Sequence, residues 1–461
     1  MSLMGASVNA DGQTAASMLG EFATGLRFAD IPPAVLARTR DCVADTVAAT
    51  VYGHAARAGQ IVTELYRGRE SGQAAVLGAP ASFPKQAAEN AALVNGTLAH
   101  ALELDSLRQP GAGVHPGAVL VTAALAVAQD EDRSGADLLT ALVAGCEVMF
   151  RVGAATRHSA EGRGFHAPGL TGPFGAAIAC GHLIGLDARQ MAMALGIAGS
   201  LGGGLLEFAA SGEGGMVKRL HLGRAASSGV LAARLAQRGF TGPSSVLEGA
   251  HGFLHAYCSE TDLPALTSGL GRDWETLKIC FKAYPCHITA HTPVEAVRRL
   301  KAAHGFAADD VAQVEVAGTP KMAALHGNRA PSDPVAAQYS IAFCVAAALA
   351  RDPEDPATFT QSLADPTIMG LCARVVVTGD GGFVSSWATR TTVRLHDGRS
   401  FTAEVDVAPG FPAQPFTAEQ LRRKFIALTA DLGPAAAPLF DRLQRLEDEP
   451  SLQWLTASRN P

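Results

Sequence analysis

Residues 391–405 read TTVRLHDGRSFTAEV, and this stretch marks the last third of the chain as partly β-sheet. Apolar and polar residues alternate on both sides of the dipeptide Asp397-Gly398. An Asp-Gly pair between two alternating runs favours the tight turn of a β-hairpin, because both residues tolerate a positive φ. The same alternation covers residues 311–317 and 373–378. We therefore predict strands in all of these segments.

Helical patterns lie between these strands, at 292–303 and 335–350. Strands and helices together predict a smaller α+β domain at residues 275–404. A turn rich in Pro and Gly follows, and an amphipathic segment then begins at Thr417. We predict that residues 405–461 form helices that return to the first domain.

The chain before residue 275 has a helical pattern throughout. Ser134 precedes an apolar-periodic stretch at 135–152, and Asp187 precedes another at 188–198. Both residue types are preferred at the N-cap of a helix. Strand-like alternation of any length is missing here, so we predict a large helical domain at 11–274. The predicted fold class is mainly α, with an inserted α+β lid.

Composition excludes some classes of partner. The formal net charge is −6, and Lys and Arg form no long run, so the chain lacks the footprint of a nucleic-acid partner. The longest apolar runs, at 118–128 and 341–350, are shorter than the roughly 18 residues of a membrane-spanning helix. The N-terminus also lacks the pattern of a signal peptide. We predict a cytoplasmic protein that binds neither nucleic acid nor membrane.

Several cofactor and catalytic motifs are missing from the sequence. The eight cysteines show no Cys-x-x-Cys spacing, which argues against an iron–sulfur cluster and for buried thiols in a reducing compartment. The glycine-rich segments at 111–113 and 199–204 follow no predicted strand, which argues against a dinucleotide-binding loop. A serine-hydrolase elbow, Gly-x-Ser-x-Gly, does not occur.

Two other segments place basic side chains among small residues. The first is Gly164-Phe165-His166, and the second is Lys218-Arg219-Leu220-His221. Lys and Arg bind carboxylates, and His moves protons near neutral pH. Together the segments predict a pocket for a small acid that carries several carboxylates.

A third group of candidates follows Asn95. We predict a helix over 95–106 that brings His100 and Glu103 onto one face. Glu103 and Asp105 would be acid/base or orienting carboxylates, with His115 projecting from a turn into the same cavity. The alternative is a helix end in which Asp105 has only a capping or salt-bridge role.

Residues 282–291 open the second domain with Lys282, Cys286, His287 and His291. We predict that His287 faces the first domain across a cleft, because ligand sites favour domain interfaces. Zinc binding by His287 and His291 is an alternative without a clear third ligand. A Cys286 nucleophile is another, although adjacent residues rarely form a working pair.

In order and spacing these motifs resemble the MmgE/PrpD family over about residues 33–430. Further motifs that carry the resemblance are Asn95-Gly96, His115-Pro116, Gly145-Cys146-Glu147-Val148, Leu247-Glu248-Gly249, residues 282–291 and the hairpin. The resemblance implies a cofactor-independent enzyme with a helical domain and an α+β lid, usually a homodimer. It also implies an active site between the domains that contains His115, His166, Lys218, His287 and an acidic residue.

The chain departs from the family pattern at three positions. Glu103 replaces the first Asp of the family's Asp-x-Asp-Asp-Thr run, and Leu107 replaces its Thr. A tyrosine of the decarboxylase branch falls near Phe343, so a second hydroxyl is missing. Losing hydroxyls from a site that recognises polar groups changes selectivity strongly.

The resulting hypothesis is acid–base catalysis at a carbon next to a carboxylate, on a small di- or tricarboxylic acid without a metal. Catalytic roles fall to His166, Lys218, His115, His287 and Glu103, and substrate-binding roles to Arg219, His100, Asp105 and Lys282. The first choice is a hydro-lyase like 2-methylcitrate dehydratase. An epimerase like iminodisuccinate epimerase, a decarboxylase like cis-aconitate decarboxylase, a metal-dependent lyase and a non-catalytic acid-binding relative stay as alternatives.

Overall fold

Two hydrophobic cores organise the chain, a large one among helices and a smaller one beside a sheet. The computed structural model describes residues 12–69, 71–111, 113–210, 214–379, 382–383 and 385–458. The larger core takes residues from 15 to 281 and again from 421 to 455. The smaller core takes buried residues from 284 to 395. The fold is therefore mainly α with a smaller α+β part, while the boundaries after residues 274 and 404 stay predictions.

Helices build the first part of the chain. They are α1 (Ala15–Gly25), α2 (Pro33–Gly53), α3 (Arg57–Tyr66), α4 (Ala88–Ala99), α5 (Thr122–Asp130), α6 (Gly135–Ala155), α7 (Ala167–Leu183), α8 (Ala188–Leu201), α9 (Glu207–Ala210), α10 (Val217–Gln237) and α11 (Phe253–Tyr257). Ser134 caps α6 and Asp187 caps α8, each in a capping box, as the sequence predicts.

Helices α4 and α10 cross at two glycines. A Cβ on Gly96 of α4 would lie 2.8 Å from the Cα of Gly223 in α10. A Cβ on Gly223 would lie 2.2 Å from the backbone oxygen of Leu93. Only glycine allows this approach. The crossing brings the C-terminal end of α4 close to the first turn of α10, where the candidate site lies.

Helix α6 is apolar and long enough to span a bilayer by length and composition. Its most apolar window is 94% buried inside the protein, as expected for a core helix. The helix also contains a buried ion pair between Glu147 and Arg151. The prediction of a cytoplasmic location remains a prediction.

The second part of the chain contains the predicted strands. Its helices are α12 (His291–His304), α13 (Pro320–His326), α14 (Pro334–Tyr339), α15 (Ile341–Ala350), α16 (Thr358–Gln361) and α17 (Pro366–Ala373). Strands β3 (Val311–Gly318), β4 (Val375–Gly379), β5 (Thr389–Leu395) and β6 (Ser400–Val405) pair in the order β4-β3-β5-β6. β3 and β4 are parallel, and the other two pairs are antiparallel. Strands β5 and β6 form the hairpin that the Asp-Gly turn predicts.

A two-stranded ladder connects the two parts of the chain. Strand β1 (Leu107–Arg108) pairs with β2 (Ile279–Cys280), with Leu107 opposite Cys280. Sequence patterning misses these strands, because two residues are too few to show a period. The ladder holds the loop after α4 beside the segment that contains Lys282.

The predicted helix over 335–350 is two helices, α14 and α15, with a break at Ser340. The Ser340 side chain accepts a hydrogen bond from the backbone N–H of Phe343 and so caps α15. An apolar run on both sides hides this cap in the sequence. The break turns Gln338 and Tyr339 toward the candidate site.

The chain ends in helices α18 (Ala418–Leu428) and α19 (Ala436–Leu443), which follow a tight turn at Gly410. Gly410 has φ 89°, and its Cβ would lie 2.1 Å from the backbone oxygen of Phe281. Its own oxygen accepts a hydrogen bond of 2.9 Å from Phe281 N–H. This contact fixes the segment that leads into Lys282.

We expect Gly410→Ala to lower the free energy of unfolding by about 2–4 kcal/mol, because it adds a clash to the strain of a positive φ. Gly398→Ala is the control, since Gly398 shares φ 89° but has no atom within 4 Å of the added Cβ. The control should cost only about 1 kcal/mol. Equal urea midpoints for the two variants would contradict the clash at Gly410.

Candidate active site

The centre of the candidate site is the carboxylate of Glu103, which is 1% exposed. Helix α4 ends at Ala99 with His100 as its C-cap, and Glu103 lies beyond the helix with φ 57°. The predicted helix over 95–106 is therefore wrong after residue 99. Tight chain reversal, rather than helical spacing, brings Glu103 to within 3.9 Å of the His100 ring.

Three cations surround this carboxylate. Lys218 and Arg219, in the first turn of α10, both contact Glu103 Oε1. Lys282, which follows β2, donates to Oε2 over 2.8 Å. All three cations are at most 2% exposed. The β1–β2 ladder and the α4–α10 crossing thus assemble one charge cluster from three distant segments.

Burial and neighbouring charges set the ionisation of this cluster. Burial disfavours the charge of Glu103, but Lys218, Lys282 and Arg219 hold its pKa well below the usual range. Burial, together with the charges of Arg219 and Lys282, lowers the pKa of Lys218 to about 7 despite Glu103. Burial also opposes the charge of Lys282, yet Glu103 and Asp105 raise its pKa. Lys218 therefore has the side chain that exchanges a proton most readily near neutral pH.

A chain of hydrogen bonds continues from Lys218 through two imidazoles. Lys218 Nζ donates to His100 Nε2 over 2.9 Å, so His100 Nδ1–H donates to Asp105 Oδ1 over 2.8 Å. His115 Nδ1–H donates to the other oxygen of Asp105, also over 2.8 Å. Burial lowers the pKa of His100 to about 3, so its imidazole is neutral. Burial alone would raise the pKa of Asp105, but the two imidazoles hold it well below its usual range.

His166 stands at the N-cap of α7, opposite this chain. Its Nδ1 lies 3.0 Å from the Nδ1 of His221, one turn further along α10 from Lys218. Burial, reinforced by the positive charge of Lys218, lowers the pKa of His166 well below its usual range. The electrostatic influence of Lys218, His100 and His115 on His166 places all four groups around one volume.

His287 enters the site from the second part of the chain. Its ring centroid lies 4.5 Å from that of Tyr339 and 4.7 Å from that of His326, and its Nδ1 hydrogen bonds the hydroxyl of Thr289. Burial, together with the charge of His326, lowers the pKa of His287 well below its usual range. The ring of Tyr339 also lies 5.1 Å from Lys218 Nζ.

The structure brings together the residues singled out for catalysis and binding. His115, His166 and His287 lie around the cluster that Glu103, Lys218, Arg219 and Lys282 form with His100 and Asp105. Their individual roles remain predictions.

A metal would have one candidate set of ligands among the described residues, His100, Asp105 and His115, whose donor atoms lie within 4.8 Å of one another. These donors already hydrogen bond each other, and Lys218 occupies the second nitrogen of His100. The ammonium group would repel a divalent ion, so the donor set fits a proton-orienting role better. His287 and His291 do not combine as zinc ligands, since His291 packs against Tyr284 and His287 against His326.

Residues 17–265 match the MmgE/PrpD N-terminal domain, and residues 284–443 match the MmgE/PrpD C-terminal domain. The chain belongs to the MmgE/PrpD family.

Several curated MmgE/PrpD relatives align with most of the chain. A cis-aconitate decarboxylase-like protein of Aspergillus oryzae is 29% identical over 464 residues, which are 93% of this chain and 92% of the relative. The cis-aconitate decarboxylase of Mus musculus is 30% identical over 383 residues, 78% of this chain and 76% of the relative. The cis-aconitate decarboxylase of Aspergillus terreus is 27% identical, with 94% and 91% covered. These relatives are named as lyases of the decarboxylating kind.

Sequence reasoning missed Tyr339 at this MmgE/PrpD site. Phe343, where the family's decarboxylase branch has a tyrosine, is fully buried in the smaller core. Tyr339 instead places an aromatic ring with a hydroxyl next to Lys218 and His287. The capping serine that follows Tyr339 is the sequence signal that could have found it.

Gln338 was missed as well. Its Oε1 accepts from Arg219 over 2.9 Å, and its Nε2 donates to the backbone oxygens of Leu102 and Pro285. One buried amide therefore ties Arg219 to the loop that contains Glu103 and to the segment before His287. No pattern of charge or period in the sequence marks a glutamine for such a role.

Proposed function

We propose that this protein is a lyase that removes CO2 from a small unsaturated tricarboxylate of the cis-aconitate type. The observation that carries the proposal is the buried cluster of three cations around Glu103, which with Asp105 counts three positive groups against two negative ones. An enclosed site with an excess of cations suits an anionic substrate. The names of the relatives favour decarboxylation over the hydro-lyase reaction that the sequence alone put first.

The reaction needs a proton donor and groups that hold carboxylates. The bond to the departing carboxylate breaks, and its electron pair becomes a new C=C bond as CO2 leaves. The electron pair of the old C=C bond takes one proton at the carbon next to a retained carboxylate. One proton is consumed and a dicarboxylate is formed.

Lys218 is the proton donor in this proposal. Its pKa of about 7 is the one closest to neutral pH among the cations around Glu103, and general acids work best when their pKa lies near the working pH. Arg219 and Lys282 hold the carboxylates that stay on the substrate. The neutral imidazoles of His115, His166 and His287 orient the substrate by hydrogen bonds.

Glu103 keeps the cations in place when substrate is absent, and Asp105 fixes His100 and His115. Both carboxylates are fully ionised at neutral pH, since their pKa values are held well below the usual range against the effect of burial. Their part in the reaction is therefore electrostatic and orienting rather than proton transfer.

The test is proton NMR of the purified protein in D2O with cis-aconitate, citrate, 2-methylcitrate and iminodisuccinate. We expect loss of CO2 from cis-aconitate, with one deuterium at the carbon next to a retained carboxylate in the product. The control is Lys321→Met, because Lys321 is a surface lysine with 63% of its side chain exposed. Its turnover should equal that of the unsubstituted protein.

Other outcomes of this panel contradict the proposal in recognisable ways. Loss of water from citrate or 2-methylcitrate, with cis-aconitate inert to decarboxylation, would replace it by a hydro-lyase. Deuterium incorporation into iminodisuccinate without loss of any group would replace it by an epimerase.

A further inference from the structure

The imidazole of His221 has no role in the reaction described above, although it touches a residue that does. Its Nδ1 lies 3.0 Å from the Nδ1 of His166, and the two ring centroids are 5.2 Å apart. His166 is 5% exposed, whereas His221 is half-buried. His221 thus lies between the catalytic volume and solvent.

The two rings share a restricted environment. His221 lines a cavity together with Gly169, Gly203, Leu220 and Arg224. The backbone N–H of His166 donates to the oxygen of Gly204, and a Cβ on Gly204 would lie 3.0 Å from His221 Nδ1. The backbone therefore fixes His166 while leaving just enough room for the second ring.

The contact between the two Nδ1 atoms constrains where the protons are. Burial, reinforced by the charge of Lys218, lowers the pKa of both imidazoles, so both are neutral at neutral pH. A neutral imidazole has one N–H and one bare nitrogen, so one Nδ1 must donate and the other accept. The tautomer of one ring then fixes the tautomer of the other.

We propose that His221 is a positioning residue that donates its Nδ1–H to Nδ1 of His166 and so keeps the proton of His166 on Nε2. This inference rests on the proposed function, because an anionic substrate needs a donor, and Nε2 is the ring nitrogen of His166 that His221 leaves free. In this arrangement the bare Nε2 of His221 faces the cavity, where water can donate to it. The pair acts on the substrate only through His166.

Asn and Leu at position 221 separate the hydrogen bond from the volume of the side chain. The two side chains have nearly the same shape, but only the Asn amide can donate to His166 Nδ1. We expect His221→Asn to keep kcat within about fivefold of the unsubstituted protein. We expect His221→Leu to lower kcat by about 10- to 100-fold with KM changed less than about threefold, because orientation matters most in the transition state.

The second measurement needs no substrate. In the free protein with 15N-labelled histidine, NMR should show His166 with a bare Nδ1 and a protonated Nε2, assigned by comparison with His166→Gln. His221→Asn should keep this pattern, and His221→Leu should give a mixture of tautomers. The exposed His251 supplies the control variant, His251→Leu, which should change neither spectrum nor rate.

Either of two results would overturn the inference. One is a protonated Nδ1 on His166 in the unsubstituted protein, and the other is equal kcat for the Asn and Leu variants. If no compound in the acid panel is converted, the proposed function fails, while the NMR arm still decides whether His221 sets the tautomer of His166.

Discussion

Replacing Lys218 by methionine should lower kcat/KM by about 10²- to 10³-fold, because the variant loses a preorganised charge and the proton donor together. Replacing it by arginine should separate the two contributions. Arginine keeps the positive charge next to Glu103 but does not give up a proton near neutral pH. We therefore expect Lys218→Arg to keep KM within a few fold while kcat falls as far as in the methionine variant.

The pH dependence of kcat/KM provides an independent measurement of the same role. The pKa of Lys218 is lowered to about 7, first by burial and then by Arg219 and Lys282. Since the ammonium form is required, kcat/KM should fall as the pH rises through about 7. A rate that increases through this range would contradict the assignment, because it would mean that the free amine acts as a base.

Stability should respond to Lys218→Met in the opposite direction from activity. The folded protein binds the Lys218 proton less tightly than the unfolded chain, whose lysine pKa is about 10.4. The contribution of Lys218 to stability therefore improves as the pH rises from about 7 to about 10. The methionine variant should lose this pH-dependent rise and should unfold at the same temperature or higher at pH 7. A large drop in unfolding temperature would instead mean that its lost activity reflects misfolding.

The strands and most long helices could be predicted because each is decided by local chemistry. The Asp397-Gly398 turn, the Ser134 cap and the Asp187 cap all act within a few residues of themselves. Such signals survive in a single sequence. The two-residue strands β1 and β2 could not be found in this way, because their pairing partner is distant in the chain.

The candidate site shows the same division. His166 and Lys218 stand out because charged and titratable groups among glycines and alanines are costly unless they are used. The geometry around Glu103 could not be predicted, because it depends on a left-handed residue after α4 and on the crossing at Gly96 and Gly223. Gln338 and Tyr339 were missed for a related reason: a helix break hidden in an apolar run turns them toward the site.

Replacing Glu103 by glutamine should have the largest effect on stability in this protein, about 3–5 kcal/mol in the free energy of unfolding. The substitution leaves Lys218, Arg219 and Lys282 buried without the carboxylate that all three contact. Removing one partner of a buried ion pair costs more than the pair contributes, because the remaining charges stay desolvated. Glu103→Asp is the matched control: it keeps the charge and should lose less.

A double-variant cycle identifies the cause of this loss. Adding Lys218→Met to Glu103→Gln removes one of the unpaired cations, so the second substitution should restore part of the stability. A bound tricarboxylate such as citrate should also restore part of it, because its carboxylates take the place of Glu103. Urea unfolding of the four proteins, with and without citrate, measures both effects. Additive losses and no rescue by citrate would mean that the cations are not held by Glu103.

The sign of the pH effect follows from the depressed pKa of Glu103 in the folded state. A carboxyl with a lowered folded pKa contributes stability that is present above its unfolded pKa, about 4.3, and is lost as the pH falls below that value. The difference in unfolding free energy between the unsubstituted protein and Glu103→Gln should therefore be largest above about pH 5 and should shrink in acid. A difference below about 1 kcal/mol at neutral pH would contradict the central place of Glu103, and with it the argument that a substrate carboxylate can take over its contacts.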